Sequence, residues 1–573
     1  MTQTQSLPAS TDATPTSKRS ILLVFAGLMV TMLLASLDQT IFSTALPTIV
    51  GELHGVNEMV WVITIYILAS TIMLPIYGKV GDLIGRKGLF IFAIGLFIVG
   101  SIIGGWAGDM TWLIIGRAVQ GLGGGGLMIL SQAIIADVVP ARERGRYMGI
   151  MGGVFALSSV AGPLLGGWFT DGIGWRWGLW MNIPLGILAI ISAVFFLRLS
   201  KKPKRKASFD VYGMALLAIA STCLVLVTTL GGTTVNGVKF DWNSPQIILL
   251  IAATIVAAIL FVFVERRVSE PVMPLYLFKE RNFNLTTVAG LIIGIAMFGT
   301  LAYLPTYLQM VTGANATQAG FLMIPMMAAL LVSSIGSGQI VSKTGRYKWS
   351  LISGTIIVAG ALMLLSTMTA AIPVYVICLY LALMGLGLGL CMQILVLVVQ
   401  NTFPNKLVGT ATASNNYFRQ IGASIGSAVV GSLFATRLVN LLTERMPAAA
   451  QGATGSTNAL TPAAVKELPK AVRDIIIGSY NDALAPIFLF MVPLIIIAVI
   501  LLCFVKEVPL ATTIDREIDP NSLETNGADA VLLGREFEGQ AATEPGAEDD
   551  ASIAAGYSSP TGRAVETTQH PVV

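Results

Sequence analysis

GKVGDLIGRK, residues 78–87, is the stretch that decides how the rest of the chain is read. Gly78, Gly81 and Gly85 are interleaved with Asp82, Arg86 and Lys87, and a long apolar run lies on either side. The spacing predicts a short glycine-rich loop between two membrane helices. A second stretch of the same build, GQIVSKTGRYK, occupies 338–348, with Gly338, Gly345 and Arg346 each 260 positions after Gly78, Gly85 and Arg86. Two hairpins with the same turn chemistry, far apart in one chain, point to a duplicated membrane protein.

Composition agrees. Only 12% of the 573 residues are charged and 54% are hydrophobic, whereas about a quarter of an ordinary globular chain is charged. Runs long enough to cross a bilayer, about 20 residues each, recur at about 21–49, 59–77, 89–106, 111–136, 146–169, 177–198, 211–230, 246–264, 284–308, 318–342, 349–369, 373–399, 408–437 and 484–505. The expected fold is an all-α polytopic membrane protein with fourteen spans. Cys223, Cys378, Cys391 and Cys503 all lie within apolar runs and read as small buried hydrophobes. His54 and His570 fall in a loop and in the tail, so an intramembrane proton carrier has to be a carboxylate. The first apolar run is too long for a cleaved signal segment.

Alternate loops collect the basic residues: Lys79, Arg86 and Lys87; Arg142, Arg144 and Arg146; Arg266, Arg267, Lys279 and Arg281; Lys343, Arg346 and Lys348. The positive-inside rule expects these loops, and with an even span count both termini, on the cytoplasmic side. The organisation that follows is a disordered lead-in at 1–20 and a six-helix half at 21–200. A linker with two additional helices follows at 201–270, then a second six-helix half at 271–510 with a long external loop at 438–483. The acidic tail at 511–573 is expected to be disordered. Six helices with loops need roughly 200 residues, so the 260-residue offset leaves room for the pair at 211–230 and 246–264. Gly145, Gly162 and Gly167 echo Gly409, Gly426 and Gly431 264 positions later. The run KKPKRK (201–206) fits a topology anchor or an anionic-lipid contact, and AAVKELPKAVRDIIIGSY (463–480) fits a surface helix within the external loop.

Charge inside a bilayer costs at least a few kcal/mol per group, and Asp38, Arg117 and Arg419 sit in the middle of apolar runs. Asp38 lies nine residues before Pro47, and Arg117 six residues after Thr111. At about 1.5 Å per residue both are on the order of 10 Å below the external face. A carboxylate there, raised by desolvation and lowered by a nearby cation, can gain and lose a proton as its surroundings change; a static buried ion pair is the alternative. For Arg117, bracing the bundle and direct coupling both fit. The glycine runs GLGGGG (121–126) and GGVFALSSVAGPLLGG (152–167) strip one helix face for close packing, and Gly162-Pro163 loosens the backbone.

The 78–87 stretch resembles the signature loop between helices two and three of the major facilitator superfamily of secondary transporters. LDQTIFSTALP (37–47), GRAVQGLGGGG (116–126), WRWGLWMNIPLG (175–186) and NNYFRQIGASIG (415–426) resemble motifs of its fourteen-helix drug:proton antiporters. Leu179 stands where that family usually has Phe. Gly162, Pro163, Gly166 and Gly167 resemble its antiporter motif. The resemblance implies a major facilitator fold of two six-helix halves plus two additional central helices. It implies proton coupling by Asp38 and Arg117, and a conformational latch built from Gly78, Gly81, Asp82, Gly85, Arg86 and Lys87. A carboxylate at 82 is suited to the positive N-terminus of the thirteenth span, Asp137 extends the latch, and the repeat adds Arg346.

Candidates for a substrate cavity are Gln39, Tyr66, Gln120, Tyr303, Tyr307, Asn415, Arg419 and Gln420, with Trp61, Gln132, Gln393 and Tyr417; packing or an interfacial position is the alternative for each. Some relatives that export dications carry an extra acid in the tenth span; 318–342 has none, which favours monocationic, zwitterionic or neutral amphiphiles. The function implied is export of such drugs or toxic compounds across the plasma membrane in exchange for protons. Export of a cell-envelope lipid or endogenous metabolite is the alternative. No phosphate-binding GxxxxGK[ST] loop occurs and no acid/base pair or metal cluster suggests an enzyme. The expected energy source is the proton gradient, without cofactor, metal or nucleic acid; the partners are the substrate, protons and the bilayer.

Overall fold

The computed structural model describes residues 18–54, 58–197, 199, 209–235, 238–446, 465–466 and 468–513. The lead-in before 18, the KKPKRK run, residues 447–464 and the tail beyond 513 lie outside the described residues. Fourteen helices are long and apolar enough to cross a membrane.

The first six are α1 (Lys18–Glu52), α2 (Met59–Ile84), α3 (Arg86–Gly105), α4 (Met110–Val138), α5 (Ala141–Trp168) and α6, whose segments are Trp177–Trp180 and Asn182–Phe196. The inserted pair is α7 (Val211–Leu230) and α8 (Pro245–Glu265), joined by a small hairpin of β1 (Thr233–Val235) and β2 (Val238–Phe240). The last six are α9 (Arg281–Leu301, then Leu304–Thr312), α10 (Ala316–Leu322, then Ile324–Thr344), α11 (Lys348–Ser366), α12 (Val374–Thr402), α13 (Val408–Arg445) and α14 (Lys470–Cys503). The breaks in α9 and α10 fall just before Pro305 and Pro325, the first or second residue of the segment that follows. A proline there has no N–H to give to the preceding turn.

Each half has its own apolar core, around Leu34, Phe90, Phe97 and Leu127 in the first and Ile293, Leu351, Leu388 and Phe488 in the second. The 78–87 stretch is less of a loop than its glycines suggest. α2 continues through Gly78 and Gly81 to Ile84, and only Gly85 turns the chain, at φ 97°. Gly345 ends α10 in the same way, at φ 76°. Inside a bilayer a glycine is kept in a helix because it admits a neighbour. A Cβ on Gly78 would fall 2.8 Å from the Gly409 carbonyl oxygen, and one on Gly145 3.1 Å from that of Gly338. The halves therefore meet twice, α2 on α13 and α5 on α10, at the end of the bundle that carries the basic loops.

Two further expectations change. Both ends of the stretch expected as an external loop, 438–445 and 470–483, are helical, because α13 runs on to Arg445 and α14 begins at Lys470. With 38 and 34 residues these helices reach roughly 57 and 51 Å at 1.5 Å per residue, well past a hydrocarbon core of about 30 Å. Their projecting parts pack on each other through Leu438, Leu442, Ile476 and Tyr480, and Arg445 pairs with Asp482 at 2.8 Å. The stretch expected to lie on the surface is thus largely the first turns of α14.

The inserted pair leans on both helices of one crossing. Ser221 of α7 shares a 2.7 Å hydrogen bond with Tyr417 of α13. Lys79 of α2 pairs with Glu270, just after α8, at 2.5 Å. The apolar side chains of Ile248, Leu249, Ile255, Val256 and Ile259 are left on the outer surface of α8, where lipid is their natural neighbour.

Candidate functional site

Asp38 is fully buried inside the N-terminal half, and its partners come from two other helices. One oxygen forms an ion pair with Arg117 of α4. The other accepts from Gln120 Nε2 (2.9 Å) and from Asn182 Nδ2 of α6 (2.8 Å). Gln120 lies one turn from Arg117, so both reach the same carboxylate, and its Oε1 accepts from Arg117 Nη1 at 2.8 Å. Ser101 Oγ of α3 accepts from both amides, at 2.7 and 3.2 Å. The Arg117 guanidinium lies between the rings of Phe42 and Tyr66, with centroids at 4.1 and 4.3 Å.

The glycine run makes this cluster possible. A Cβ on Gly116 would stand 2.6 Å from the Gly104 nitrogen, one on Gly121 2.6 Å from the Tyr66 carbonyl oxygen, and one on Gly123 2.6 Å from that of Ala93. α4 can therefore lie directly on α2 and α3. On the other side of Asp38, Gly162 packs on Thr40, and a Cβ on Gly166 would meet Thr44 Oγ1 at 2.7 Å. Thr40 Oγ1 donates to the Ser158 carbonyl at 3.0 Å. α5 runs unbroken through Pro163, and Gly167 has open space where a side chain would be. The α1–α5 contact is thus built from glycine and threonine within two turns of the acid.

At the basic end, Arg86 holds Asp82 and Asp137, both at 2.6 Å, and donates to the Ala133 carbonyl at 2.6 Å. The second Asp82 oxygen accepts from the backbone N–H (2.7 Å) and hydroxyl (2.9 Å) of Thr410, in the first turn of α13. The repeat reproduces this geometry with different chemistry. Ser342, 260 positions after Asp82, accepts from the backbone N–H of Arg146 at 2.9 Å, in the second turn of α5, and donates to the Glu143 carbonyl at 3.4 Å. Ser342 carries no charge to offer Arg346, whose side chain is exposed and, among the described residues, joins no ion pair, unlike Arg86. Lys87 stands apart and donates to the Val194 carbonyl at 2.9 Å.

Further bonds join the halves inward from this end. Arg144 donates to Gln400 at 3.3 Å, Gln400 to the Gln132 carbonyl at 3.2 Å, Ser334 to the Gly149 carbonyl at 3.1 Å, and Asn416 Nδ2 to Gln132 Oε1 at 2.8 Å. Most of the cavity candidates are already engaged. Tyr66 and Gln120 belong to the Asp38 cluster; Tyr303 donates to the Ser427 carbonyl (3.0 Å), Tyr307 to Asn481 (2.8 Å) and Asn415 to Thr287 (3.1 Å). Gln39, Trp61, Arg419 and Gln420 are half-buried. Gln393 is half-buried too, with its Oε1 sealed in and without a partner. Asn182, Ser101, Thr410, Ser342 and Glu270 were given no role from sequence. Asn182 does stand inside the WRWGLWMNIPLG motif, but nothing local marks the other four.

At the opposite end Glu52 closes the first half. It accepts from Trp175 Nε1 (2.7 Å) and pairs with Arg176, which donates to the Ala107 carbonyl at 3.0 Å. The Arg176 and Trp175 hydrogen bonds hold its carboxyl below the usual range.

A family model of the Major Facilitator Superfamily matches residues 28–427. An uncharacterized MFS-type transporter of Mycobacterium tuberculosis (strain ATCC 25618 / H37Rv) is 38% identical over 85% of this chain and 70% of its own. The multidrug transporter protein MdtP of Bacillus subtilis (strain 168) is 33% identical over 86% of this chain and 94% of its own. Among solved structures, the human organic anion transporter MFSD10 (TETRAN) shares the fold with a TM-score of 0.56 at 14% identity, covering 85% of this chain and all of that one.

Proposed function

The chain belongs to the Major Facilitator Superfamily, and from that premise we propose that it exports amphiphilic monocationic, zwitterionic or neutral compounds across the plasma membrane in exchange for protons. The observation that carries the reading is the Asp38 cluster: an acid sealed among four helices, balanced by a single arginine, far from either surface. Protonating Asp38 removes the charge that holds Arg117, Gln120 and Asn182 together. The N-terminal half then has two arrangements, one for each protonation state. Helix α1, which carries Asp38, touches α5 through Gly162 and Gly166, and α5 crosses to α10 through Gly145. A change at the acid thus has a packed route to the crossing between the halves.

In this conformation the halves are joined at the basic end, which the positive-inside rule assigns to the cytoplasm together with both termini. The Asp82–Thr410 and Ser342–Arg146 contacts are the latches that open when the transporter turns to face inward. The names of the Bacillus relatives, a multidrug transporter and a multidrug resistance protein, support drugs or toxic compounds as cargo.

The test is ethidium efflux and imposed-gradient transport in proteoliposomes, with the wild-type chain and Asp38→Asn. The wild type is expected to pump uphill and to stop when the pH gradient is collapsed. Asp38→Asn is expected to lose uphill transport by about two orders of magnitude or more, since one buried charge pair changes state in the cycle. Gradient-driven pumping by the asparagine variant defeats the coupling role. Absence of ethidium efflux in either form, with gradient dependence for an endogenous lipid or metabolite, moves the cargo to that class.

A further inference from the structure

Arg419 lies eleven residues into α13, about 16 Å along its axis at 1.5 Å per residue, near the middle of the membrane. A guanidinium does not deprotonate there, and a bare cation at that depth is costly. Arg117, the comparable group of the first half, is neutralised by Asp38. Arg419 is not. Its hydrogen bond goes to Asn416 Oδ1, a neutral amide, and among the described residues no carboxylate pairs with it. Among the described residues the acids of the second half are Glu280, Glu444, Asp474, Asp482 and Glu507; Asp482 is held by Arg445, and Glu507 by the backbone N–H groups of Tyr347 and Lys348.

The direction of the side chain follows from Asn416. That residue reaches across to Gln132 of α4, so its face of α13 looks at the opposite half. Arg419 is three residues on, on the same face and one turn further from the latched end. It keeps some exposure in spite of its depth, as does Gln420 beside it. The guanidinium thus stands one turn past an innermost bridge between the halves, Asn416 to Gln132, with donors beyond the one that Asn416 takes.

We propose that Arg419 is the recognition group for an acidic moiety, a carboxylate, on the transported amphiphile. The inference rests on the transport reading above and narrows its cargo to molecules that carry such a group, zwitterions among them. The planar fork of donors matches a carboxylate in two bonds, and the bound anion supplies the charge that the second half lacks. Asp38 does not compete for Arg419, because it is held by Arg117 in the other half. The proton site and the anion site are separate.

The experiment is equilibrium binding to the full-length chain in phosphatidylcholine nanodiscs, with 11-(dansylamino)undecanoic acid and its methyl ester as matched probes and empty discs as the blank. The wild type is expected to bind the acid about tenfold or more tighter than the ester, the scale of a charged hydrogen-bonded pair. Arg419→Gln is expected to lose that preference with ester binding within about twofold of wild type, and Arg419→Lys to keep part of it. Equal binding of acid and ester by the wild type overturns the proposal. So does an equal loss of both in Arg419→Gln, which marks a structural role, or full competition by phosphatidylglycerol, which assigns the site to a lipid headgroup. Gradient-driven ethidium efflux without any acid preference defeats this inference alone. An acid preference without gradient-driven transport defeats the antiport reading and leaves the site standing.

Discussion

In the N-terminal half a membrane-buried arginine is closed in by an acid, an amide and two aromatic rings; in the C-terminal half another is bonded to one neutral amide. The scaffold around them is nevertheless repeated. Gly85 and Gly345 turn the chain at equivalent places. Gly78 meets Gly409 as Gly338 meets Gly145, and residues 82 and 342 each accept a backbone N–H near the start of a helix from the opposite half. Asp82 and Asp38 have no acidic partner in the second half: Ser342 answers the first, and α9 carries no acid to answer the second. A duplicated frame has kept its glycines, which set how closely helices approach, and varied its charges, which set what the two halves respond to. On the proposals above, the first half answers protons and the second offers a cation to a ligand.

The largest effect expected from this contrast comes from deleting each arginine. Arg117→Leu leaves Asp38 charged in a dry site with only amide donors, and breaking a buried pair costs about 3–5 kcal/mol. Arg419→Leu removes a cation that has no charged partner, and its cost is expected to stay within about 1 kcal/mol. Thermal unfolding of the purified variants at fixed pH and detergent separates the two. Equal losses break the comparison, because they mean Arg419 is as firmly built into the fold as Arg117. Repeating the Arg117→Leu measurement with Asp38→Asn sharpens it, since removing the stranded charge is expected to restore most of the loss.

A smaller difference is expected at the two latches. Asp82→Asn removes a charged acceptor from the first turn of α13 and an acid from Arg86, and charged hydrogen bonds carry about 1.5–3 kcal/mol. Ser342→Ala removes a neutral bond from Arg146 and a long one, 3.4 Å, to Glu143, together worth about 1 kcal/mol. Spin labels at the exposed Ile84 and Lys406 report the distance across the α2–α13 crossing. Asp82→Asn is expected to shift a large share of molecules to a longer distance, and Ser342→Ala only a minor share. If the serine variant opens the end as readily as the asparagine one, charge is not what distinguishes the latches.

Much of this was legible in the sequence, and the misreadings have physical causes. The fourteen spans show because bilayer burial needs long uncharged runs, and the boundaries of α7 and α8 fall within a residue of those expected. The pairing of Asp38 with Arg117 was readable from equal depth below one face. The 78–87 stretch looked like a loop because glycine weakens helices in water, while in a bilayer it serves close crossing. The external loop looked long because 463–480 is polar, yet Ile476 and Tyr480 recur at helical spacing and pack on α13. Arg346 was grouped with the latch because a repeat offset carries backbone geometry and says nothing of partners. Ser101, Thr410 and Ser342 went unnoticed because a lone hydroxyl has no pattern; only the fold gives it an address.

The smallest expected effect lies at the far end of the first half, where Glu52 fastens α1 to the turn before α6. Its partners favour the charged carboxylate, so the folded-state pKa lies below the unfolded value. A carboxyl lowered on folding contributes stability that is complete above its unfolded pKa, about 4.3, and is lost as pH falls through the folded value. Both partners are substantially exposed, 48% for Glu52 and 33% for Arg176, and solvent screening keeps such a pair to about 1 kcal/mol or less. Unfolding followed from pH 7 downward is therefore expected to show a shallow acid-side decline that Glu52→Gln flattens, with little change near neutrality. A variant that instead lowers stability equally at all pH values reports lost packing against Trp175, and the charge of Glu52 then has no part in closing this end.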